Sequence, residues 1–265
     1  MGEAAMARLE RKVIIITGAG SGLGRAAAIR CAQDGAKLAL VDVNARGLEE
    51  TNGAVREFCP KAEILLAQAD VSQEDQVRAY VEKTVTRFGT IDGFFSNAGI
   101  EDRQVATEDV DAEFFDRIMA VNAKGVLLGL KHVLKVMARQ GHGRIVNTAS
   151  ALGIRGSGRQ AGYTASKHAI VGLTRNAALE YGAMGIGINA VAPGAILTPL
   201  VEASLRQINP DDWQEAAEQF VAHNPMRRMG TAEEVASVVA FLLSADSSFV
   251  NGAVIPIDGG QSAQY

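Results

Sequence analysis

Short apolar runs with no helical period alternate along this chain with longer amphipathic stretches, and that alternation predicts its architecture. Val13 to Ile16 is continuous and β-branched, the pattern of a buried strand. A glycine-rich turn follows, then GLGRAAAIRCAQDG, strongly helix-forming from Gly22 to a stop at Gly35. The same order repeats. Lys37 to Val43 reads as a strand, Ala45 to Phe58 as a helix, Glu63 to Ala69 as a strand, Gln73 to Phe88 as a helix and Ile91 to Ser96 as a strand. A long helical region from about Asp111 to Gln140, expected to bend at Gly125 and Gly129, leads to a strand at Arg144 to Thr148. A helix over Ala161 to Ala183, a strand over Gly187 to Ala192, a helix over Ala232 to Leu243 and a strand near Ala253 to Ile257 complete the series. Strands separated by helices of this length imply right-handed crossovers and a parallel sheet covered on both faces. The expectation is an α/β, single-domain, doubly wound fold with its ligand at the carboxyl ends of the strands. No linker or composition break divides the 265 residues.

Composition changes this picture only by exclusion. Hydrophobic residues at 48% and charged residues at 21% are ordinary globular values, so neither disorder nor a fibrous repeat is suggested. A formal charge of −4 with no long basic run argues against a nucleic-acid surface. The start, MGEAAMARLERK, lacks the apolar run of a secretory leader, and no later segment has the continuous apolar length of a membrane span, so a cytoplasmic protein is expected. Cys31 and Cys59 and four scattered histidines have no ligand spacing, so two idle thiols and no metal site are expected.

Two stretches carry candidate chemistry. The turn after the first strand presents free backbone N–H groups and a positive helix end, where a diphosphate can sit. Its spacing is TGxxxGxG, with Thr17, Gly18, Gly22 and Gly24, while Leu23 breaks the commoner GxGxxG/A fingerprint. Asp42 closes the second strand, where a carboxylate can accept hydrogen bonds from ribose hydroxyls. A strand-end carboxylate there could equally cap the helix that starts near Asn44. Facing a ribose, Asp42 would repel a 2′-phosphate, although Arg46 is close enough in sequence to soften the effect. In the second stretch, Tyr163 and Lys167 are four apart on one face of a helix, so an ammonium can approach a phenol and favour its ionised form.

Taken together, these motifs resemble the short-chain dehydrogenase/reductase family over about Leu9 to Gly260. The resemblance implies one NAD(P)-binding Rossmann domain over 1–265. Ser150, thirteen residues before Tyr163, matches the family's Ser-to-Tyr interval, and Asn122 lies where the family carries a fourth catalytic residue. The implied catalytic set is therefore Asn122, Ser150, Tyr163 and Lys167. Ser150 would hold the substrate oxygen and Tyr163 would act as acid or base. Lys167 would lower the phenol's pKa and bind the nicotinamide ribose, and Asn122 would hold a water that connects the lysine to solvent. For the cofactor, expected to be NAD, the resemblance adds Ser21 and Leu23 in the glycine turn and Asp70 and Val71 as adenine contacts. Asn97, Ala98 and Gly99 fall in the family's NNAG motif, whose first Asn is replaced by Ser96. Pro193, Gly194, Ile196 and Thr198 form its PG turn and nicotinamide contacts.

A polar-edged helical insertion over 198–229, with Trp213 as the chain's one tryptophan, is expected to be a substrate lid or else a surface hairpin. Leu152, Ile154, Gln160 and Ile100 should face the reacting carbon, with Arg155 and Arg159 near in sequence. That largely apolar set suits a compact, uncharged, cyclic secondary alcohol or ketone. The alternatives are an NADP-dependent 3-oxoacyl carrier-protein reductase or a nucleotide-sensing protein without turnover. Family members pair through their long helices, so a homotetramer is expected.

Overall fold

The computed structural model describes residues 7–209, 211–222 and 224–263. Positions 210 and 223 of the expected lid, the first six residues of the opening segment and the last two of the chain lie outside them. Seven parallel strands, β1 (Val13–Thr17), β2 (Lys37–Asp42), β3 (Ile64–Gln68), β4 (Gly93–Ser96), β5 (Gly143–Thr148), β6 (Ile186–Pro193) and β7 (Val254–Ile257), form one sheet. Its order is β3-β2-β1-β4-β5-β6-β7, so the winding reverses between β1 and β4. Helices α1 (Gly22–Gln33), α2 (Ala45–Phe58) and α9 (Ala232–Leu243) contribute to one apolar layer; α3 (Glu74–Phe88), α5 (Gly125–Gln140) and α6 (Ala161–Tyr181) contribute to the other. The strands show why both faces are covered. Ile14 and Ile16 point into the first layer and Ile15 into the second, and Leu38 and Leu40 alternate in the same way with Ala39 and Val41. A period of two with no polar face leaves no side for water. Among the described residues no helix is long and apolar enough to cross a membrane.

The expected elements are present, with informative shifts at their ends. Ile91 stays outside β4 because the Gln140 amide brackets its backbone at 2.9 and 3.1 Å, while Asp92, at the mouth of the strand, bonds Val13 and Arg144 through its backbone and also accepts from Val13 N at 2.9 Å through its carboxylate. The helical region 111–140 divides into α4 (Ala112–Ile118), a π-helical turn at Met119–Lys124 and α5. The interruption is therefore not at Gly125 or Gly129, which are helical. Those glycines instead let elements approach: a Cβ at 125 would lie 2.9 Å from Val71, and one at 129 would lie 2.7 Å from Phe94. The π turn centres on Asn122, and such turns are common where a helix serves a site. The 198–229 insertion contains α7 (Pro199–Ile208) and α8 (Trp213–Val221).

Candidate active site

The turn between β1 and α1 is built by close backbone approach. Gly18 has φ +65°, and a Cβ there would stand 2.9 Å from the Ala98 backbone, so only glycine fits both the conformation and the space. A Cβ at Gly24 would lie 2.0 Å from the Gly18 carbonyl. Asn97 fastens the turn to the end of β4: its backbone N–H donates to Thr17 Oγ1 at 2.9 Å, and its Nδ2 donates to the Thr17 carbonyl at 3.1 Å. Asp42 accepts from Gly20 N at 2.9 Å and from Asn44 N at 2.8 Å, while the cap of α2 is the Asn44 side chain. Arg46 pairs with Glu50 at 3.1 Å.

A cavity of about 520 Å³ opens at the carboxyl ends of the strands, on the reversal between β1 and β4. Gly18, Ser21, Gly22, Leu23 and Asp42 line one end. Asn97, Ala98 and Gly99 line its middle, opposite Pro193, Gly194, Ile196 and Thr198. Ser150, Leu152, Gln160, Tyr163 and Lys167 line the other end. Several expected residues are elsewhere. Gly24 supports the turn from behind. Asp70 closes its own turn by accepting from the Ser72 N–H and hydroxyl at 2.8 Å, and Val71 is buried beside Gly125. Ile154 packs on the core, Ile100 is held by its backbone, and neither Arg155 nor Arg159 belongs to the wall.

At the catalytic end the geometry is specific. Ser150 Oγ accepts from Leu152 N at 3.1 Å, which leaves its hydrogen free for the Tyr163 phenol, with which it is hydrogen-bonded. Lys167 Nζ donates to the Thr148 carbonyl at 2.9 Å and lies 5.2 Å from the centre of the Tyr163 ring. Burial raises the Tyr163 pKa, the Glu101 charge raises it further, and the Ser150 bond opposes both. The expected lowering of this pKa is therefore reversed in the cofactor-free protein, where the cost of ionising a buried phenol dominates. Burial also lowers Lys167 to about 8, against the opposing pull of Glu101.

Asn122 is not part of the wall. It is fully buried and clasps the Ile100 backbone, with N–H to Oδ1 at 2.8 Å and Nδ2 to the carbonyl at 2.9 Å. Its Nδ2 also reaches Ser166 Oγ at 3.1 Å, and that hydroxyl donates to the Tyr163 carbonyl at 2.8 Å. Sequence reasoning missed Glu101, a wall residue whose carboxyl is raised by burial, although it stands just two positions after Gly99. The lid expected over 198–229 includes α7, but the residues through which α7 lines the cavity, Leu200, Val201, Ser204, Leu205 and Ile208, are not among the expected substrate contacts. Trp213 instead lies under the Arg206 guanidinium, 5.5 Å from it, and takes no part in the wall.

The model of the Enoyl-(Acyl carrier protein) reductase family matches residues 18–262. Levodione reductase of Leifsonia aquatica is 58% identical over 97% of this chain and 97% of its own length. A crystal structure of levodione reductase superposes with a TM-score of 0.96, covering 97% of this chain and 100% of that one at 58% identity. Cyclohexanol dehydrogenase of Acinetobacter sp. strain SE19 is 37% identical over 97% of each chain. An NAD+-bound xylitol dehydrogenase structure gives a TM-score of 0.91 at 37% identity, covering 96% of this chain and 100% of its own. Likeness of this extent, along nearly the full length of each relative, makes the protein an oxidoreductase of alcohol and ketone groups: the chain belongs to the short-chain dehydrogenase/reductase family.

Proposed function

We propose that this enzyme transfers a hydride between NAD(H) and a compact, uncharged, cyclic secondary alcohol or ketone, with Tyr163 as the acid or base. The observation that carries the reading is a single cavity with Asp42 at one end and Ser150, Tyr163 and Lys167 at the other. The residues fit a dinucleotide. Gly18 and Gly99 line the cavity where a flat, extended ligand would pass, and Asp42 offers carboxylate oxygens to a ribose. Gly22 and Leu23 open α1 toward a diphosphate, with Thr198 beside Gly22 and Ile196 lining the same cavity. When bound, NAD supplies the hydride acceptor, and NADH the donor.

The chain's own groups handle the proton. Ser150 holds the substrate oxygen by hydrogen bond, and the Tyr163 hydroxyl donates its proton to that oxygen during reduction or takes one up during oxidation. A phenol held high by burial is a competent donor, because its proton is retained until an alkoxide develops beside it. Lys167 supplies positive charge close to the phenol and free N–H donors for a ribose. The α7 helix closes the substrate end with Leu200, Leu205 and Ile208, so the 198–229 segment of this single domain acts as a lid that excludes water. Among the described residues no lysine or arginine apart from Lys167 lines the cavity, which disfavours carboxylate or phosphate substrates. The relative named cyclohexanol dehydrogenase supports a cyclic alcohol, and the NAD+-bound neighbour supports NAD over NADP. The test is incubation with NAD and a panel of secondary alcohols, read as absorbance of the reduced nicotinamide. Turnover of cycloalkanols is expected, and efficient reduction of an acetoacetyl thioester without activity on cyclic ketones would overturn the reading.

A further inference from the structure

The helix that carries Tyr163 and Lys167 starts without a cap of its own. Gln160, at the N-cap position of α6, makes no side-chain bond to the first turn, and that turn contains no acidic residue. The first backbone N–H groups of a helix have no partner within it, and leaving one buried and unbonded is costly. The Tyr163 N–H is nevertheless satisfied. It donates at 3.0 Å to Oδ2 of Asp102, sixty-one positions earlier in the chain, in the loop that follows β4. Asp102 is 5% exposed, unusual for a carboxylate, and its other oxygen accepts from Arg103 N at 2.8 Å. Two backbone donors and the positive helix end therefore hold its charge. The neighbouring residue is shaped to admit it: a Cβ at Gly162 would lie 3.0 Å from Oδ2, with Ile118 at 3.2 Å and Phe115 at 3.3 Å on its other side.

We propose that Asp102 is the positioning residue of the catalytic tyrosine, a cap supplied from the β4 loop that locates Tyr163 relative to the cofactor turn. The bonds form a continuous path. Thr17, in the strand that enters the glycine turn, is joined to Asn97, and Ile100, three residues on, is clasped by Asn122. Asp102, two further on, grips the Tyr163 N–H, while Asn122 reaches the Tyr163 carbonyl through Ser166. The backbone of Tyr163 is thus held at its N–H by a segment anchored to the first strand, and its carbonyl is held by Ser166, which Asn122 ties to that same segment. Such anchoring matters for rate more than for binding, because displacing a proton donor by about 1 Å costs on the order of a hundredfold in turnover. The proposal rests on Tyr163 being the acid or base.

The test compares wild type with Asp102→Ala, Asp102→Asn and Gly162→Ala, using NAD and a cycloalkanol that the wild type oxidises. The readouts are kcat, KM for the alcohol, NAD affinity by quenching of protein fluorescence, and melting temperature. In Asp102→Ala, kcat is expected to fall at least about tenfold at a temperature well below its melting point, with NAD affinity unchanged within about twofold. Asparagine retains one oxygen for the Tyr163 N–H, so Asp102→Asn is expected to recover part of the lost kcat. Gly162→Ala leaves the charge in place and crowds the cap, so it should lower kcat in the same sense. A folded Asp102→Ala with wild-type kcat overturns the proposal, as does a loss of kcat matched by an equal loss of NAD affinity. If Asp102→Ala does not fold, the other two variants decide: both at wild-type kcat would refute the role, and both lowered with NAD binding intact would support it. A wild type without turnover on any alcohol would instead fail the functional reading itself.

Discussion

Replacing Asp42 by asparagine should relax the choice between NAD and NADP, and the structure allows the effect to be sized. The carboxylate lies at the cavity end, its oxygens accepting from Gly20 N and Asn44 N at 2.9 and 2.8 Å. Arg46, the nearby cation that could offset it, is engaged by Glu50 with its side chain 89% exposed. A unit negative charge held about 4 Å from the carboxylate would meet roughly 4 kcal/mol of repulsion at an effective dielectric of about 20. Because this end opens to solvent, screening reduces that to about 2 kcal/mol, roughly a thirtyfold preference. Asparagine keeps one oxygen for the backbone donors and loses the other, which loosens the turn for both cofactors alike, so the ratio between them isolates the charge. The assay is initial rate against cofactor concentration for both dinucleotides with one alcohol, in wild type and variant. The kcat/KM ratio of NAD to NADP is expected to fall by at least about tenfold. An unchanged ratio, or a wild type that already prefers NADP, would refute the electrostatic argument.

Tyr163→Phe should lower turnover by about 10²- to 10⁴-fold while NAD affinity stays within a few-fold, measured by steady-state rates and fluorescence titration; near-normal turnover would remove Tyr163 from the chemistry. Lys167 gives a pH signature in the cofactor-free protein. Burial brings its pKa from an ordinary 10.5 to about 8, so above pH 8 the native state releases a proton that the unfolded chain still holds. Stability should then rise with pH across that window relative to Lys167→Met, by at most on the order of 3 kcal/mol in urea unfolding, and a flat or falling difference would contradict the burial argument. Light scattering at micromolar concentration should give a tetramer mass, because Leu127 on α5 and Leu179 on α6 stand 48% and 87% exposed and Phe249 is fully exposed; a monomer mass would refute the expectation.

The fold was legible because its signals are local and repeated. Ile14, Ile15 and Ile16 face alternate layers, and such a run admits few arrangements other than a strand covered on both sides. The glycine turn was legible for the same reason, since the demands on Gly18 are met within one short segment and its partner loop. The start of β4 was not, because the Gln140 amide takes the place of strand partners at Ile91 and only tertiary placement reveals it. Nor was the interruption of the long helix, where glycine suggested a bend but served close packing, while the actual break surrounds Asn122.

The site divides along the same line. Ser150, Tyr163 and Lys167 are recognisable by spacing because one strand end and one helix turn carry them, and the chemistry constrains their types. The groups that set their environment come from elsewhere in the chain. Glu101 acts on both Tyr163 and Lys167 from the β4 loop, raising each pKa, yet nothing in its immediate sequence marks it. Its position is fixed by the Ile100 clasp, which depends on Asn122 being aimed inward by a π turn in a separate helix. The substrate end shows the reverse dependence. Trp213 attracted attention as a rare residue, but α7 meets the cavity with ordinary leucines and an isoleucine, while the tryptophan lies under Arg206 on α7 and away from the cavity. In the proposed function, proton chemistry is thus carried by residue types that spacing can identify, and substrate choice by the side of α7 that faces the cavity. On that reading, changing Leu200 or Leu205 alters the shape available to a ring without touching the Ser150–Tyr163–Lys167 geometry, so one catalytic frame can be paired with different substrate pockets.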